Sequence, residues 1–166
     1  MIRPTLTALC LAAASPALAL DTCLVGKWAL DASALAGAMA GQIGGTVRHV
    51  EGGATMTITP DGTLAMRIED LTIGMTMQGM PEMAVSISGH SNGQIETSGA
   101  GDFTAAATDY SLVGTADVMG QRMEVPVSTA TGGWGSASGG YTCAGDTLTF
   151  TPSAEGSMPP SWQRLN

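Results

Sequence analysis

The methionines carry the most distinctive chemistry in this chain. Met75, Met77, Met80 and Met83 fall within one short segment, and Met56, Met66, Met119 and Met123 lie on either side of it. Thioethers are soft ligands that suit Cu(I), so a copper site built from Met75, Met77, Met80 and Met83 is one reading. Against it, Met75 and Met77 share strand parity with Leu71 and Ile73, which makes them equally good core or pocket-lining side chains. With two Phe and two Tyr in the whole sequence, an interior needs other fillers, and flexible thioethers suit irregular gaps and promiscuous apolar pockets.

Other reactive residues are sparse. His49 and His90 are the two histidines, too few for a zinc site without further ligands. No H-E-x-x-H, G-x-S-x-G, C-x-x-C or phosphate-loop pattern occurs, and Gly135-Ser136-Ala137-Ser138-Gly139 has Ala where a nucleophile elbow needs Ser. Asp61, Glu69 and Asp70 are explained by turn and bulge chemistry. The sequence carries no catalytic signature and implies no cofactor, so a non-enzymatic role is expected.

The N-terminus reads as an export signal over residues 1–19: Arg3, an apolar run from Leu6 to Ala14, and Ala17-Leu18-Ala19 as the cleavage site. A single mature domain over 20–166 follows, and it contains no apolar run long enough to span a membrane. Asp21-Thr22 before Cys23 is not the small, apolar context of a lipid-anchor site. Cys10 leaves with the signal, and Cys23 and Cys143 remain as an even pair in an exported chain, which predicts a disulfide and a periplasmic or secreted location. The net charge of −8, spread without acidic blocks, disfavours nucleic acid and anionic membrane surfaces as partners.

The elements that must position these residues are mostly strands. Leu24 to Leu30 reads as a first strand, followed by a helix capped by Asp31 and running to Ile43, with Leu35, Met39 and Ile43 on one face. From residue 54 the period is two. Met56 and Ile58 lead through Pro60-Asp61-Gly62 into Leu64, Met66 and Ile68, a clear hairpin. After Glu69-Asp70 the apolar parity flips to Leu71, Ile73, Met75 and Met77, which predicts a bulge there. Met83, Val85 and Ile87 start another strand, with a hairpin turn expected at Ser91-Asn92-Gly93. Tyr110 to Val118, Met123 to Val127 and a final hairpin around Gly145 complete the pattern, and the Gly-rich 131–140 reads as a flexible loop. The expectation is an all-β, single antiparallel meander of eight to ten strands, closed as an eight-stranded barrel, with one short helix after the first strand. A sandwich with Greek-key crossings is the alternative.

Gly26-Lys27-Trp28 on the first strand resembles the Gly-x-Trp of lipocalins and the wider calycin group. That resemblance implies that Trp28 closes one end of the barrel beside an Arg from the C-terminal part, for which Arg164 is the candidate. The Cys-x-x-Gly-Lys-Trp spacing is also similar to the opening of avidin-type barrels, but Leu30 and Ala34 stand where their biotin-polar residues would fall. Later tryptophans are limited to Trp134 and Trp162. The functional expectation is an exported binding protein for a small apolar or amphipathic ligand, lined by Met56, Met66, Ile73, Met75, Met77, Val85 and Met123. Copper binding through the Met cluster and a structural or inhibitory protein with a filled core are the alternatives.

Overall fold

The computed structural model describes residues 20–43, 45–77, 79, 81–98, 101–125, 134, 136–154 and 157–166; the expected export signal, 1–19, lies outside them. The described elements run β1 (Gly26–Leu30), α1 (Ala32–Ile43), β2 (Thr46–Ile58), β3 (Thr63–Thr76), β4 (Met83–Ser98), β5 (Asp102–Val118), β6 (Gln121–Val125), β7 (Ser136–Ala144), β8 (Thr147–Pro152) and β9 (Ser161–Leu165). Every pairing is antiparallel. Strands pair with their sequence neighbours except that β7 pairs β5 rather than β6, and β9 returns to β1. Eight strands thereby close a barrel in the order β1-β2-β3-β4-β5-β7-β8-β9, with β6 attached to the far half of β5. No described helix is long and apolar enough to cross a membrane. A disulfide joins Cys23, just before β1, to Cys143 on β7.

Local chemistry explains most element boundaries. Asp31 Oδ1 accepts the Ser33 N–H at 3.0 Å, the Ser33 hydroxyl at 2.7 Å and the Ala34 N–H at 3.1 Å, capping α1. The Ser33 hydroxyl first, then the Ala34 amide, hold the Asp31 carboxyl below its ordinary value of 3.8. Because the folded state lowers this pKa, the cap stabilises fully above the unfolded value and is lost as pH falls through the folded one. Asp31→Ala should therefore cost about 1 kcal/mol at neutral pH, and that difference should shrink on acidification. Asp31→Asn should retain most of the cap and lose this part of the pH slope. Urea unfolding of the three proteins between pH 7 and pH 3 checks the sign.

The Pro60-Asp61-Gly62 turn forms as expected, the Asp61 carboxylate accepting the hydroxyls of Thr59 and, at 3.0 Å, Thr63. The parity flip is a bulge. The β3–β4 register shifts between Ile68 and Leu71, and Asp70 adopts φ 45°. Leu64, Met66 and Ile68 on one side of it, and Leu71, Ile73 and Met75 on the other, are consequently all buried.

Two expectations are corrected. Asn92-Gly93 makes no hairpin turn, because β3 and β5 both pair with β4 through this point and β4 runs unbroken from Met83 to Ser98. The register of β4 on β5 shifts there instead, and the Asn92 amide donates to Asp109 on β5 at 3.0 Å. In the Gly-rich run, Ser136–Gly140 is the start of β7, where a Cβ at Gly139 would overlap the Thr151 carbonyl of β8. Residues 131–133 and 135 lie outside the described part.

Candidate functional site

The strands of the barrel are unequal. β1 pairs β2 only through Thr55–Ile58, and β7 pairs β5 only through residues 102–106, whereas β2, β3, β4 and β5 continue well beyond. Their outer parts, with β6, make an open five-stranded extension in the order β2-β3-β4-β5-β6. α1 leaves β1 and packs on β2, covering the edge that β1 no longer pairs.

One face of this extension is apolar, in two cross-strand rows. The first runs Val50, Ile73, Val85, Ala116 and Met123; the second runs Val47, Met75, Met83 and Val118. Burial is uneven along them: Val47, Val50, Met83 and Val85 are half-buried, Ile73, Met75 and Ala116 are 2%, 6% and 5% exposed, and Met123 on β6 is 54% exposed. Leu35 of α1 is buried in the same cluster, and Met39 is partly buried against it; the Ile43 side chain lies outside the described part. The face is thus covered on the α1 side and open towards β6.

The seven expected lining residues divide. Ile73, Val85 and Met123 share one row, Met75 stands in the next, and Met77 is half-buried just past the end of β3. Met56 and Met66 are directly paired elsewhere, fully buried in the barrel beside Trp28. Of the four methionines considered for copper, Met75 and Met83 face each other across β3 and β4, and Met80 lies outside the described residues. No group of three or more His, Cys, Asp or Glu among the described residues is placed to hold a metal ion.

The Arg164 guanidinium lies 4.1 Å from the centre of the Trp28 ring. It donates to the carbonyls of Val25 at 2.9 Å and Cys23 at 2.8 Å, and Trp28 Nε1 donates to Leu24 O at 2.9 Å. Gly26 is required here: its φ is 146°, and a Cβ would sit 2.5 Å from Arg164 Nη1. Arg164 thus stacks on Trp28, the two residues that the Gly-x-Trp resemblance points to. Trp28, Trp162, Phe150, Leu148 and Ile95 are fully buried, and the rings of Phe103 and Phe150 lie 4.8 Å apart.

On the opposite face of the extension, His90 Nε2 lies 3.1 Å from Asp109 Oδ2. Hydrogen bonding from Asn92, then from His90, holds the exposed Asp109 carboxyl below the ordinary aspartate value. The register partners of His90 on β3 and β5 are Arg67 and Ser111, both exposed, so the pair lies in a polar surface.

Sequence reading missed Val47, Val50 and Met83 as members of the apolar face. Val47 and Val50 are three residues apart, off the strand period, because β2 carries an extra residue between Val47 and His49. Compared with known proteins, the chain matches no family model, no curated protein and no solved structure.

Proposed function

We propose that this is an exported, non-enzymatic protein of calycin-like shape that binds a small apolar or amphipathic ligand. The observation that carries the reading is the continuous apolar row Val50, Ile73, Val85, Ala116 and Met123 across the extension, buried at Ile73 and Ala116 and 54% exposed at Met123. An aliphatic and thioether surface that is walled by a helix on one side and open on the other offers apolar contact without fixed polar demands. The opposite end holds Trp28 and Arg164, so ligand access is assigned to the extension. Export is supported by the signal-like residues 1–19 and by the Cys23–Cys143 disulfide.

The test is titration of the mature protein with the neutral fluorescent probe N-phenyl-1-naphthylamine. Binding should be saturable, and Met123→Lys, at an exposed position the fold tolerates, should weaken it by about tenfold because an ammonium is placed on the apolar face. Val85→Asp should weaken it further. An absence of saturable binding, or affinity indifferent to both substitutions in protein shown to be folded by circular dichroism, would remove the proposal.

A further inference from the structure

Between α1 and β2 runs a groove of about 290 Å3, formed by Ala32, Ser33 and Ala36 on the helix and by residues 47–50 on the strand. Two local devices place its polar side chains. The register of β2 on β3 shifts between Val47 and His49, so Arg48 is an extra residue with no partner position on β3, and a bulge of this kind re-aims its side chain. His49 in turn lies over Gly74, where a Cβ would overlap the imidazole ring. The bulge and the glycine thus fix the course of residues 47–50, with Arg48 and His49 lining the groove beside Ala32, Ser33, Ala36, Val47 and Val50.

The charge is left available. Arg48 is exposed and has no hydrogen-bond or ion-pair partner among the described residues. That contrasts with Arg164, which is consumed by two carbonyls and an indole. Cations are scarce here, with six Lys and Arg against fourteen Asp and Glu, yet none of the described carboxylates pairs with this one. Val47 and Val50 line the groove and also begin the two apolar rows of the extension, so a molecule with its head at Arg48 meets apolar surface on leaving the groove.

We propose that the α1–β2 groove receives the anionic head of an amphiphile, with Arg48 as its ion-pairing donor and the ligand's apolar part running over Val47 and Val50 onto the extension. This rests on the ligand-binding reading above and adds the charge of the ligand to it. The guanidinium offers paired donors to a sulfonate, carboxylate or phosphate, which a neutral apolar ligand does not use.

A matched pair of probes isolates the charge. 1-Anilinonaphthalene-8-sulfonate and N-phenyl-1-naphthylamine differ only by the sulfonate. Arg48→Gln should raise the Kd of the sulfonate about tenfold, the scale of one hydrogen-bonded charge, and leave that of the neutral amine unchanged. Arg48→Lys should recover part of the loss, and added salt should weaken the sulfonate alone. Equal effects of Arg48→Gln on both probes, or none on either, overturn the groove assignment while leaving the binding function standing. Failure of both probes to bind the unsubstituted protein overturns the binding function and this inference with it.

Discussion

Replacing Cys23 and Cys143 together with serine is expected to lower the unfolding free energy by about 4 kcal/mol. The bridge closes a loop of sequence separation 120, so in the unfolded chain it removes much of the freedom of almost the whole described domain. Its place in the native state adds to this. Cys23 and Cys143 stand on β1's approach and on β7, strands that are separated in the barrel by β9 and β8, so the bridge crosses the closure rather than reinforcing one ladder. The Cys23 carbonyl also accepts from Arg164 at 2.8 Å, and the nearby Tyr141 hydroxyl donates to Asp21 at 3.0 Å. Urea unfolding should show a lower midpoint and a slightly steeper slope, since the reduced-constraint unfolded state exposes more surface. A loss below about 1 kcal/mol would mean that strand pairing alone holds the ends together and that the unfolded chain is already compact.

The same residues explain what was legible in the sequence. The flip from Ile68 to Leu71 gave the bulge because two apolar runs of opposite parity in one strand leave no other solution. Gly26-x-Trp28 and Arg164 were readable as a pair because the resemblance ties those residue types together, and the glycine leaves the space the guanidinium occupies. Asn92-Gly93 misled because a turn propensity is local, whereas β4 has partners on both sides throughout that stretch. The glycines of 136–140 misled in the opposite direction: without side chains they resemble a linker, but a strand pressed against its neighbour also needs small residues. The apolar face itself was half readable. Ile73, Met75 and Val85 follow from period two, while Val47 and Val50 are hidden by the extra residue at Arg48, and no pattern in one strand announces where another strand stops pairing it.

Trp28→Ala is the second large effect, expected at about 4 kcal/mol, because it removes a fully buried indole and leaves Arg164 without the ring beneath it. Part of this loss belongs to the pair. A double-mutant cycle with Trp28→Ala and Arg164→Ala should give a coupling of about 1 kcal/mol, the worth of the guanidinium on the indole, since the loss of the Arg164 hydrogen bonds to Val25 O and Cys23 O cancels in the cycle. The consequence for function is separable from the consequence for stability. Trp28 and Arg164 pair across β1 and β9, and the row from Val50 to Met123 lies beyond the Glu69-Asp70 bulge on the extension. The folded fraction of Trp28→Phe should therefore bind N-phenyl-1-naphthylamine within about twofold of the unsubstituted protein, as distant sites behave independently. If this mild substitution instead abolished binding while leaving the fold intact, the ligand would have to be placed in the barrel beside Met56 and Met66, and the extension would lose its role.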